Sequence, residues 1–246
     1  MIVIGTNIDA PEILSDAEMF GLYLPSNPVD ATIRTMSRAE IRIALVISLV
    51  LMAFPQEAGS AAPTTVDLMG TLLVNGRAPK TGYARDQFGT AWKDVDRNGC
   101  DTRNDILNRD LKSIVYKVSS QDCVVLSGVL IDPYSGETIN FLRGVATSAD
   151  VQIDHVVALS NAWQTGAFKF TLEKRTAFAN DPLNLLAVKG RLNSQKGDGD
   201  AATWLPPRKS YRCAYVSRQV AVKAKYGLWL TAPEKAAILK ILNTCL

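Results

Sequence analysis

Proton transfer at neutral pH most often runs through an imidazole, and this chain has one histidine, His155. It stands in Val151-Gln152-Ile153-Asp154-His155-Val156-Val157-Ala158-Leu159, a branched, apolar stretch that reads as a buried strand. A carboxylate beside an imidazole could pair a metal ligand with a general base. On a regular strand the two side chains would point to opposite faces, so one site can use both only at a strand end or loop. Asn184 follows on a second short strand after Asn180-Asp181-Pro182, and Asn193 comes nine positions later, at the head of a short helix that Gly197 would end. Carboxylate and amide oxygens plus water suit a hard divalent ion such as Mg²⁺, with Mn²⁺ as the second choice. Such a set could hydrolyse a phosphodiester. By itself, a His beside an Asp in an apolar strand is more often a satisfied core pair, and Asn193 with Lys196 more often helix capping and solvated charge.

A second acidic stretch follows the D-x-D-x-N-G opening of a calcium loop, with Asp94, Asp96 and Asn98 in place. Asp105 falls at the twelfth position, where the loop wants a bidentate glutamate. The alternative is an Asx-rich turn leading into a helix. The four cysteines, Cys100, Cys123, Cys213 and Cys245, allow three pairings. The sequence-local one, Cys100 with Cys123 and Cys213 with Cys245, is preferred. No C-x-x-C occurs, and one histidine cannot build the usual Cys/His zinc site.

The elements that must position these residues lie in the later part of the chain. Arg38 and Arg42 precede a short apolar run, Ile43 to Phe54, and small residues follow at Ala58-Gly59-Ser60-Ala61-Ala62. That pattern describes a secretory signal peptide over 36–60, with Met36 as the start and 1–35 a non-native extension. The run is too short for a spanning helix. Residues 61–80 read as a flexible lead-in and 81–246 as one domain. Residues 61–246 carry 24 Lys and Arg against 17 Asp and Glu, and most of the excess lies after His155. A basic exported protein can bind polyanions, nucleic acid among them. Strands are expected near 113–118, 123–131, 151–159 and 183–188, with a turn at 132–136. Helices are expected at 105–111, 160–179 and 211–242, the last broken at Gly227 and restarting at Pro233. The fold class is α+β.

The order of these words resembles the HNH endonucleases, the ββα-metal nucleases. Asp154-His155-Val156-Val157-Ala158-Leu159, Phe178-Ala179-Asn180-Asp181-Pro182-Leu183-Asn184-Leu185, Asn193-Ser194-Gln195-Lys196-Gly197-Asp198 and Trp204-Leu205-Pro206-Pro207 look like the secreted DUF1524-type HNH proteins. These are similar to the C-terminal domain of the GmrSD restriction enzymes. The resemblance covers most of residues 80–246. It implies a ββα-metal core in a small mixed domain with C-terminal helices. It implies His155 as general base, Asp154 and Asn193 as metal ligands, and Asn184 holding the hairpin loop. Lys196 and Arg191 flank the site and could contact phosphates. The relatives carry a word like Cys100-Asp101-Thr102-Arg103-Asn104, so Arg103 could stabilise the transition-state phosphorane. The usual closing histidine is here an asparagine, a further argument against zinc. The function implied is a secreted, metal-dependent endonuclease of low sequence specificity acting on DNA, with RNA as the other substrate. It would be a monomer, secreted or held at the cell surface, with no stable membrane association. The rival is a non-catalytic exported binding module stabilised by Ca²⁺ at Asp94–Asp105.

Overall fold

The computed structural model describes residues 64–245, which fall within one unit. The signal peptide, the start at Met36 and the extension 1–35 lie outside the described residues.

Helix α1 (Thr65–Thr71) opens the described chain with a capping box, in which Thr64 accepts from the Asp67 amide and the Asp67 carboxylate accepts from the Thr64 amide. Its Met69 and the following Leu72 are buried against Val216 and Val220 of a late helix. Val74 then bridges Leu230, and Ala78 donates to the Gln164 carbonyl. Residues 64–80 are therefore packed rather than a loose lead-in. Their Thr/Gly/Pro content suggested a linker, but two buried apolar side chains outweigh it.

Helix α2 (Thr102–Asp110) leads into β1 (Leu111–Tyr116), β2 (Val125–Ile131) and β3 (Thr138–Leu142). These form an antiparallel sheet in the order β1-β2-β3. The sequence reading placed no strand after the turn at 132–136; β3 is there because that turn closes a hairpin, pairing Ile131 with Thr138. Next come β4 (Val151–His155) and β5 (Leu185–Lys189), an antiparallel pair with His155 opposite Leu185. The excursion between them holds α3 (Leu159–Gln164) and α4 (Leu172–Ala179), split at Gly166, whose φ is 132°. Helix α5 (Gly190–Lys196) follows β5 without a linker, and α6 (Arg212–Tyr226) and α7 (Ala232–Leu242) close the chain. Gly227 ends α6 in the left-handed region at φ 70°, and Pro233 sits in the first turn of α7.

The β4–β5 pair is buried on both faces, which explains its nearly unbroken apolar sequence. Leu186 and Val188 pack under α1, α6 and α7. Val151, Ile153, Leu185 and Ala187 face α2 and the three-stranded sheet. The outer edge of β5 has no strand beside it. Instead its Ala187 amide donates to Asp110 at 2.8 Å and its Lys189 amide to Asp132 at 2.9 Å. Two carboxylates thus do the work of a neighbouring strand and tie the hairpin to the sheet. Both disulfides take the sequence-local pairing, Cys100–Cys123 and Cys213–Cys245.

Candidate active site

His155 is the last residue of β4, where the strand runs out. One cavity of about 390 Å³ is lined by Arg103, Gln152, Asp154, His155 and Asn193, together with Tyr83, Arg85, Trp92 and Asp198. Asp154 and His155 take different partners, Tyr134 and Lys196 for the first and Ala179 for the second, yet both line this cavity. Helix α5 lies across the Gln152 and Asp154 face and brings Asn193, whose amide nitrogen donates to Gln152 Oε1 at 2.8 Å. Asn193 is mid-helix, since α5 starts at Gly190 rather than at Asn193. A Cβ at Gly190 would stand 1.9 Å from the Ala149 carbonyl oxygen. Glycine is what lets the helix start this close to the chain entering β4.

The imidazole of His155 is held in one tautomer. Its Nε2 lies 2.8 Å from the Ala179 carbonyl oxygen. A carbonyl only accepts, so Nε2 carries the proton and Nδ1 keeps its lone pair. Burial is the main cause that lowers the pKa to about 4, and Arg85 and Lys196 push the same way against the raising effects of Ala179 and Asp154. At neutral pH the ring is an uncharged base.

Ala179 ends α4, and the loop that follows it is fixed from several sides. Asn184 is buried; its Oδ1 accepts from the Val157 amide at 2.8 Å and its amide nitrogen donates to the Val157 carbonyl at 3.2 Å. It holds the chain just past His155 and does not line the cavity. Arg109 and Arg218 donate to the carbonyls of Pro182 and Leu185, and Tyr226 donates to Asp181 at 2.8 Å.

Asp154 is also buried. Its Oδ2 accepts from Tyr134, and its Oδ1 accepts from Lys196 Nζ at 2.8 Å. Lys196 donates as well to the His155 carbonyl at 2.8 Å, and its side chain is 0% exposed. This corrects the expectation of a phosphate contact, because the ammonium is spent under the site. Arg191 is also displaced. It lines a separate groove with Glu137, Lys189 and Arg208.

Donor chemistry is the test of a divalent ion here. Asp154 offers a carboxylate whose two oxygens each retain a lone pair beyond their present partner. Asn193 has committed its amide nitrogen to Gln152, which leaves its oxygen to offer. One carboxylate, already paired with the Lys196 ammonium, and one amide oxygen are of the donor type that a hard ion such as Mg²⁺ takes. Among the described residues, no group of three or more His, Cys, Asp or Glu side chains is arranged to hold a metal, so the ion would keep much of its water. At the second acidic stretch, Asp94 accepts from the amides of Arg97 and Gly99. The Asn98 amide nitrogen donates to both Asp96 and Asp105. The four side chains converge, but an amide N–H stands between the carboxylates. The Asp105 pKa is raised, by burial first and then by its acidic neighbours.

Sequence reasoning missed Arg85 and Trp92. Both line the cavity with His155 and also a second, adjoining one. Trp92 lies stacked on the imidazole, with ring centroids 6.0 Å apart and planes 18° apart. Its backbone is left-handed at φ 57°, a conformation costing about 1–3 kcal/mol in a residue other than glycine. Its carbonyl accepts from the Thr102 amide at the start of α2. A pattern of aromatic and basic residues so far upstream carries no spacing signal toward His155.

A neutral imidazole, a buried carboxylate and two arginines therefore line one cavity. The chain belongs to the family of GmrSD restriction endonucleases, C-terminal domain, which it matches over residues 101–241. That makes it a member of a nuclease family, whose substrate class is nucleic acid. A curated relative from Arthroderma benhamiae, described as "Uncharacterized secreted protein", is 39% identical over 187 residues, covering 75% of this chain and 86% of its own. That description and the two disulfides agree with the secretion expected from the leader. No helix among the described residues is long and apolar enough to cross a membrane. No solved structure matches the chain.

Proposed function

We propose that the protein is a secreted, metal-dependent HNH endonuclease that hydrolyses DNA phosphodiesters with low sequence specificity. The observation that carries this reading is the hydrogen bond from His155 Nε2 to the Ala179 carbonyl. It leaves Nδ1 unprotonated at the cavity, ready to take a proton from water. Burial keeps the ring neutral, so the base is available at ordinary pH. Arg85 and Arg103 offer guanidinium donors on the same cavity. They suit the non-bridging oxygens of a phosphodiester and the charge that grows on them as water attacks. Asp154 and Asn193 would hold Mg²⁺ or Mn²⁺, which when bound would supply Lewis-acid stabilisation of the leaving oxygen. Tyr134 and Lys196 fix the Asp154 carboxylate on that face. The basic excess of the later chain favours polyanion binding through phosphate contacts, which tolerates any base sequence.

Purified protein should nick supercoiled plasmid with Mg²⁺ and stop with EDTA. His155→Ala should abolish nicking while keeping the circular dichroism spectrum of the wild type. Nicking by that variant at the wild-type rate would overturn the mechanism. Running the same pair on single-stranded RNA decides between DNA and RNA.

A further inference from the structure

Beside the polar cavity lies a smaller one of about 270 Å³, walled by Phe88, Leu159, Ala179 and Ala91. Both cavities share Arg85, Trp92, His155 and Leu159, so whatever sits in one has its neighbour in the other. Phe88 and Leu159 are buried and form an apolar wall, while Asp86 and Thr90, both exposed, add polar groups that can accept from a ligand's N–H. Arg85 stands at the common wall and is exposed, free to hold an anion on the polar side. Trp92 presents an aromatic ring at the same wall, and its left-handed backbone is locked by the start of α2. Asn180 also lines this cavity. It is 1% exposed, and its Oδ1 has no hydrogen-bond partner. An apolar slot with an aromatic wall, an orphan acceptor and a guanidinium at its mouth matches a planar ring that carries N–H groups and is joined to a phosphate.

We propose that this slot receives the base of the nucleotide adjoining the cleaved phosphodiester, so that the scissile strand is held by one unstacked base as well as by its phosphates. The proposal rests on the nuclease reading and adds a subsite to it. Stacking on an aromatic wall accepts every base, so a base-holding subsite is compatible with low sequence specificity. It also requires the nucleotide to leave its neighbours' stack, which favours single-stranded or frayed substrate.

The test uses the purified protein and a single-stranded oligonucleotide in which one abasic residue is walked along the sequence, with cleavage read at every phosphate. The expected result is a fall of about 10- to 100-fold in cutting at the phosphate adjoining the abasic residue, with distant cuts unchanged. The variant Ala91→Trp, at an exposed position on the slot, should fill the mouth. It should cut the intact strand more slowly and show no further fall at the abasic residue. Cutting beside the abasic residue at the parent rate by the wild type overturns the slot. A folded Ala91→Trp that keeps both the parent rate and the fall also overturns it. If the wild type nicks supercoiled plasmid with Mg²⁺ but leaves the intact single strand uncut, the slot is overturned and the nuclease reading stands; if it cuts neither plasmid, single-stranded DNA nor RNA, both are overturned. If Ala91→Trp does not fold, the abasic walk with the wild type decides alone.

Discussion

At the scale of single residues, the site depends on a histidine kept neutral by burial. The unfolded chain takes up a proton on that ring at the ordinary histidine pKa, near 6.5, whereas the folded protein does so only near 4. Folded stability contributed by His155 is therefore complete above about pH 6.5 and falls as pH drops toward about 4, where both states are protonated. The expected loss is up to about 3 kcal/mol. Urea unfolding in EDTA at pH 7 and pH 4.5, compared between wild type and His155→Gln, measures it. The variant should show the shallower decline. Arg85→Ala and Arg103→Ala should each slow nicking, and each should reduce the slope of log binding against log salt by about 1. A slope unchanged by either substitution would remove that arginine from the phosphate contacts. That His155, Asp154 and Asn193 come together at one cavity was legible because local words in the chain mark them. Arg85 and Trp92 were not, because they reach the histidine through a turn and a strained backbone that only the folded chain shows.

At the scale of elements, the site is a hairpin end with a helix laid across one face. Asn193 looked like a helix start because asparagine caps helices well, but β5 runs straight into α5 at Gly190. Close packing on the Ala149 carbonyl overrode the capping preference. Gly190→Ala should force α5 away from β4 and move Asn193 and Lys196 with it. The expected outcome is a large loss of nicking together with a lowered melting temperature, and an unchanged melting curve would show that the helix has room to spare. Helix α7 offers a separate check. Lys223 of α6 pairs with Glu234 of α7 at 2.7 Å with both side chains buried, and Glu234 also closes the capping box with Thr231. Lys223→Met strands that carboxylate and should cost about 3–5 kcal/mol in urea unfolding. The helices and most strands could be read from periodicity and glycine or proline punctuation. Strand β3 and the packed start of the chain could not, since each is decided by a partner distant in sequence.

At the scale of the whole molecule, two small cores share the β4–β5 pair, a third packs the excursion between those strands, and two disulfides hold the periphery. Cys213–Cys245 joins the start of α6 to the residues after α7. Replacing both cysteines with alanine should cost about 3 kcal/mol by the chain-entropy argument, read by thermal unfolding. Cys100–Cys123 acts closer to the chemistry. Cys100 stands just before α2, whose start carries Arg103 and whose Thr102 amide holds the Trp92 carbonyl. A reductant should depress nicking at concentrations that leave the far-ultraviolet circular dichroism spectrum unchanged, and equal sensitivity of the two readouts would deny a local effect. The wall of the cavity thus depends on a bond that forms only in oxidising surroundings. For a cell that exports such a protein, the reduced chain inside would be an unfinished tool. The wall that carries Trp92 and Arg103 would be tied in place only after export.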